Sequence, residues 1–115
     1  MTEDKILDYE GVMQRLDNDV ELYHEIVALF FEGLQVSLGS LREAALASDS
    51  IGFSSSAHCM KGALGNIGAM RAYQMAFQLE QAGKLGNVAT ATALVDKLEN
   101  EIAAFKEAYS KLKAG

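Results

Sequence analysis

The chain has 115 residues, half of them apolar and 23% charged, which fits one folded domain and excludes a disordered segment. Sixteen Asp and Glu against ten Lys and Arg give a formal charge of −6, which argues against a nucleic-acid partner, because a phosphate backbone calls for a cationic footprint. The lone Cys59 and the acidic opening "MTEDKILDYE" fit a reducing, cytoplasmic setting without a secretory signal, and the longest apolar run, "IVALFF", is too short for a membrane span.

Proline is absent, so nothing in the chain forbids long helices. Asp8 is placed to cap a short first helix reaching about Leu16, with Val12, Met13 and Leu16 on adjacent faces. "DND" at 17–19 interrupts it, and Asn18 followed by Glu21 has capping-box spacing for a second helix. There Leu22, Ile26, Leu29, Phe30, Leu34, Leu38, Leu41 and Ala45 recur at three- and four-residue steps, up to "SDS" at 48–50. Asp49 or Ser50 starts a third helix that stops between Asn66 and Gly68. A fourth runs from about Met70 to Ala82, with Ala72, Met75, Ala76 and Leu79 inward. "GKLGN" at 83–87 is the next break, and Asn87 is the expected cap of a last helix striped by Ala91, Leu94, Val95, Leu98, Ile102, Phe105 and Leu112. Four stripes joined by short turns predict an all-α fold, an antiparallel up-down-up-down four-helix bundle with a short additional N-terminal helix over one end. Residues 1–115 read as a single domain without repeats or linkers.

The third helix carries an unusual stretch, "SSSAHCMKGALGNIGAM" at 54–70, with one of the two histidines and three glycines. Each glycine inside a helix costs about 1 kcal/mol relative to alanine. On a helical wheel Phe53, Ser56, Met60, Ala63, Leu64 and Ile67 gather on the side to be buried. Ser54, Ser55, His58, Lys61, Gly62 and Gly65 gather on the opposite side. A lone surface histidine is ordinarily just solvated, but the glycines sit on its own face, where tight packing within the bundle does not explain them. They make sense where another molecule must come close to His58. A neutral imidazole, the dominant form of a free histidine at pH 7, offers a nucleophilic nitrogen. A convex helix flank lacks the pocket of an enzyme, yet it suits a group carried from one protein to another. Lys61, one turn on, would set a positive charge beside a phosphoryl group.

At this point the stretch "AHCMKGALGNIGA" resembles the histidine-containing phosphotransfer (HPt) domains of two-component phosphorelays. It has their Ala-His pair, a lysine three residues after the histidine, a glycine next to that, and a second glycine-bounded segment. "YHEIVALFFEGLQVSLGSLREAALASD" is similar to the family's long second helix and Asp-led turn, and "LEQAG" at 79–83 looks like the close of its following helix. The likeness covers about residues 5–112. The chain departs from the family at Cys59, Met60 and Ala63, where an apolar residue and a hydroxyl are frequent.

The resemblance implies that His58 takes the phosphoryl group on Nε2, that Lys61 positions and neutralises it, and that Gly62, supported by Gly65, gives a receiver domain room to approach. Glu80 falls where relatives carry a glutamine or glutamate that orients the imidazole through Nδ1–H; a solvated acid on the neighbouring helix is the other reading. Implied partners are the receiver domains of response regulators and a sensor or hybrid histidine kinase. The receiver supplies Mg²⁺, and the chain itself binds no cofactor or metal. It has no Gly-rich phosphate loop or carboxylate cluster of an ATP site, so it reads as a phosphocarrier and not an enzyme. Met13 and Leu16 are docking candidates, or else cover the bundle end, and a monomer is the default that keeps His58 accessible.

The competing reading is a helical adaptor that binds and sequesters a signalling partner without accepting phosphate. A metal-binding bundle would need Glu-x-x-His pairs on several helices, and Glu21 with His24 supplies one. His24 otherwise reads as an ordinary surface residue, and Cys59 as a flank residue.

Overall fold

The computed structural model describes residues 5–114. Residues 1–4, which share in the expectation of no secretory signal, lie outside the described residues, as does Gly115. Five α-helices follow in order: α1 (Tyr9–Arg15), α2 (Val20–Leu46), α3 (Ser50–Ile67), α4 (Met70–Lys84) and α5 (Thr92–Ala114), with a 3₁₀ turn at Val88–Thr90. Among the described residues there is no strand, and no helix is long and apolar enough to cross a membrane. Helices α2 to α5 form the four-helix bundle, and α1 packs over the end where α3 turns into α4.

Aspartates start three of these helices. Asp8 accepts from the Gly11 N–H at 3.2 Å as the sequence predicts, and Asp49, one of the two starts it offers for α3, accepts from the Gly52 N–H at 2.9 Å. At α2 the cap is Asp19, which accepts from the Leu22 N–H at 3.0 Å, and not Asn18. The reason is conformational. Asp17 and Asn18 take left-handed φ values of 55° and 61° to end α1, whereas a cap needs the extended backbone that Asp19 has. Asn87 likewise does not cap the last helix. It precedes the 3₁₀ turn without a side-chain cap bond, and α5 starts after it, at Thr92.

The core is built around Tyr23, Phe53, Phe105, Leu41, Leu64, Leu79 and Leu98, all fully buried. The stripe of α2 differs from expectation in its first half. Leu22 and Leu29 are 38% and 67% exposed, and Tyr23 and Val27 face inward instead. The Tyr23 ring packs edge-on against Tyr9 and Tyr109, and its hydroxyl donates to the Ile67 carbonyl at 2.8 Å. That buried bond ties the start of α2 to the end of α3, and burial pushes the Tyr23 phenol well up. His24, beside it, is half-buried, with Nδ1 2.6 Å from the Tyr109 hydroxyl, so it is not the plain surface residue its sequence context suggests.

Two glycines fix how α3 meets its neighbours. Gly68 ends α3 with φ +79°, and a Cβ there would lie 2.7 Å from Val12 Cγ2 and 2.9 Å from the Asp8 carbonyl oxygen. The Asp8 N–H also donates to the Gly68 carbonyl at 2.8 Å, so α1 is seated on this turn. At the other end, a Cβ on Gly83 would come within 2.9–3.0 Å of the Ser54 backbone. Close approach of α3 and α4 at Ser54 and Gly83 sets the register of the whole pair.

Candidate functional site

On α3 the inward positions are Phe53, Ala57, Met60, Leu64 and Ile67, alternating steps of four and three residues as a buried helical stripe requires. Ala57 completes this stripe, while Ser56 and Ala63, placed on the buried side by the wheel, are half-buried. The next residue after Ala57, His58, points outward with its side chain 64% exposed. Cys59 is exposed and borders a groove with Ser37, Ser40, Ser55 and Ser56.

The register set at Ser54 and Gly83 carries Glu80 to His58. Four residues along α3 from Ser54 is His58, and three residues back along the antiparallel α4 from Gly83 is Glu80. His58 Nδ1 lies 2.8 Å from Glu80 Oε2, and Lys61 Nζ donates to Glu80 Oε1 at 2.7 Å. Lys84 Nζ stands 3.6 Å from the same Oε2 that meets His58. Glu80 is itself buried, at 4% exposure, and so is not a solvated acid. A buried carboxylate is costly unless paired and hydrogen-bonded, and here both oxygens are engaged. The Lys61 hydrogen bond above all holds the Glu80 carboxyl at about 2, with the His58 bond and the Lys84 charge adding to it and burial opposing. The same bond raises Lys61, whose ammonium also lies 5.4 Å from the centre of the Phe77 ring.

This arrangement decides the tautomer of a neutral His58. An ionised carboxylate only accepts, so the ring proton sits on Nδ1 and the lone pair is left on Nε2. The site therefore presents an exposed nucleophilic nitrogen backed by a fixed anion, with two ammonium groups close by.

Gly62 is exposed, and a Cβ built there would meet nothing within 4 Å. Gly65 is placed differently from the open face predicted for it. A Cβ there would touch Tyr73 at 3.4 Å, and its carbonyl accepts from Arg15 at 2.9 Å, because α4 and the end of α1 both cross α3 at this level. Met13 is buried at 6% exposure and has little surface to offer a partner, whereas Leu16 is half-buried. Val20 and Leu22, at the start of α2, keep 43% and 38% of their surface. Among the described residues no group of three or more His, Cys, Asp or Glu is placed to hold a metal ion. Lys84 and Phe77 are not among the residues that the sequence singles out. Their spacing from Glu80, four residues on and three back, was the available signal.

No curated protein matches the chain by sequence. Among solved structures it is similar to the crystal structure of histidine-containing phosphotransfer protein B (HptB) from Pseudomonas aeruginosa PAO1, with a TM-score of 0.84, 23% identity and 96% of each chain covered. At that identity the likeness establishes the shared fold. The family model of the Hpt domain matches residues 25–108, a span that holds α3 and α4 entire. The chain thus belongs to the Hpt domain family, the phosphotransfer domains of two-component phosphorelays.

Proposed function

We propose that this protein is a phosphorelay intermediate that accepts a phosphoryl group on His58 Nε2, from a receiver aspartate or a histidine kinase, and passes it to the aspartate of a response-regulator receiver. The observation that carries this reading is the exposed His58 whose Nδ1 rests on the buried, ionised Glu80. When a receiver is the donor, the Nε2 lone pair attacks phosphorus, an N–P bond forms, and the P–O bond of the acyl phosphate breaks with its electrons leaving on the aspartate carboxylate. From a kinase phosphohistidine the bond that breaks is P–N, and the donor imidazole leaves. The His58 ring acquires a formal positive charge, which the Glu80 carboxylate compensates across the Nδ1–H bond. Because Lys61 keeps Glu80 ionised, the ring proton stays on Nδ1, and the reverse step returns the neutral ring.

The rest of the surface fits a transient encounter. The bare face at Gly62 lets a receiver's active-site loops approach, while Gly65, against Tyr73 and Arg15, serves the packing of α3 on its neighbours instead. Leu16, with Val20 and Leu22 beside it in sequence, offers apolar area for docking, while Met13 supports it from within. The receiver brings the Mg²⁺ that its acyl phosphate requires. This reading gives the chain no kinase chemistry of its own, and the monomer is its working form.

Incubation with phosphorylated receivers and Mg²⁺ tests the reading. Wild-type protein is expected to gain an acid-labile, base-stable label that the His58→Gln variant does not. Receivers that bind the domain yet leave it unlabelled would overturn the carrier reading in favour of the sequestering adaptor.

A further inference from the structure

We propose that Lys84, on the last turn of α4, is the cation that turns onto the phosphoryl group of phosphorylated His58, while Lys61 stays on Glu80; this rests on the phosphocarrier reading above. The two lysines differ in how they are held. Lys61 makes a 2.7 Å bond to Oε1, keeps 18% of its side chain exposed and lies over Phe77. Moving it breaks a charge-assisted hydrogen bond and takes from a buried carboxylate its principal counter-charge. Lys84 is 58% exposed and stands 3.6 Å from Oε2, beyond hydrogen-bond distance, so turning away costs no hydrogen bond.

Position and space agree. Lys84 approaches the oxygen that His58 shares, whereas Lys61 takes the other. The groove beside Lys84, about 260 Å³, is lined in part by Gly83, Ser54 and Ser55, and the two serines lie one turn before His58 on its own face of α3. Small side chains leave room for the lysine to swing.

Charge completes the argument. Glu80 and Lys61 cancel one another. A phosphoryl group brings about −1.5 to −2 charges at neutral pH next to the Glu80 anion, and Lys84 is the neighbouring positive charge not already committed to a hydrogen bond at that carboxylate.

The test needs no partner protein. In a His24→Gln background, His58 is phosphorylated with phosphoramidate and its ³¹P resonance is followed through a pH titration. A nearby cation favours the dianion, so Lys84→Gln is expected to lower the phosphoryl acid-dissociation constant by about two- to fivefold, the range commanded by an exposed charge pair. Lys84→Arg is expected to retain the wild-type titration. A Lys84→Gln curve that superimposes on wild type, with Lys61→Gln shifted instead, would assign the phosphoryl contact to Lys61 and overturn the proposal. Failure of the carrier reading shows separately, as absence of label from any receiver.

Discussion

The two histidines of this protein both have Nδ1 within hydrogen-bond distance of a neighbouring oxygen, and the difference between those oxygens sets the proposed phosphoryl acceptor apart from its counterpart on α2. His24 meets the Tyr109 hydroxyl at 2.6 Å and lies beside the rings of Tyr23 and Tyr109. Burial raises the Tyr109 phenol, so it remains a neutral hydroxyl. A hydroxyl can donate or accept and does not fix which ring nitrogen of His24 keeps its lone pair. His58 meets an ionised carboxylate, which only accepts. A partner that stabilises positive charge on the ring is also what an attack through Nε2 requires. The two rings thus differ both in exposure, His24 half-buried and His58 open, and in the charge of the group behind them. On the proposed function, the anion behind the ring is what equips His58 for the transfer.

Removing each ring in turn separates the two histidines most strongly. His58→Gln is expected to lower phosphoryl uptake by at least about 10³-fold, the scale of losing a nucleophile, whereas His24→Gln leaves uptake near wild type in the same labelling assay. A smaller effect is expected when the anion alone is removed. Glu80→Gln keeps an acceptor toward His58 without its charge, and the initial rate of uptake should fall by about 10- to 100-fold, the cost typical of losing a group that orients a functional histidine.

The same carboxylate leaves a signature in stability. The Glu80 carboxyl is depressed in the folded protein from 4.5 to about 2. Its contribution is fully present above pH 4.5 and is lost as pH falls toward 2, because the unfolded chain takes up the proton first. Urea midpoints measured across that window should drop more steeply for wild type than for Glu80→Gln. Parallel curves would mean that Glu80 is not held ionised by its neighbours. The smallest effect belongs to the other histidine. Tyr109→Phe removes the His24 partner and is expected to cost about 1 kcal/mol in urea denaturation, with phosphoryl uptake unchanged.

Much of this site could be read from sequence because α3 is uninterrupted. Periodicity alone turns His58 and Gly62 away from Phe53, Met60 and Leu64, and the structure agrees. It fails where a second element intervenes. Gly65 lies on the predicted flank, but Tyr73 and Arg15 cover it. Tyr23 and Val27 displaced Leu22 and Leu29 from the core because α2 meets the aromatic rings of Tyr9 and Tyr109 there. Asp19 won the cap from Asn18 because ending α1 demanded a left-handed backbone. The sequence offers Glu80 through family resemblance and not through spacing, since no pattern within α4 states which residue of α3 it faces. Lys84 is illegible for the same reason, as its meaning depends on Glu80 being buried.

The close contact of Gly83 with Ser54 and the short Gly68–Ala69 connection between α3 and α4 carry one more consequence. A residue inserted into that connection would have to be absorbed by sliding or rotating α4, and a slip of one position turns a helix by about 100°. Leu79 would then stand where Glu80 does, and His58 would face an apolar side chain unable to hold its proton as an anion does. The pairing of the histidine with its carboxylate is thus inherited as a loop length as much as a pair of side chains, and a change in the turn undoes it with every residue of the site still in the sequence.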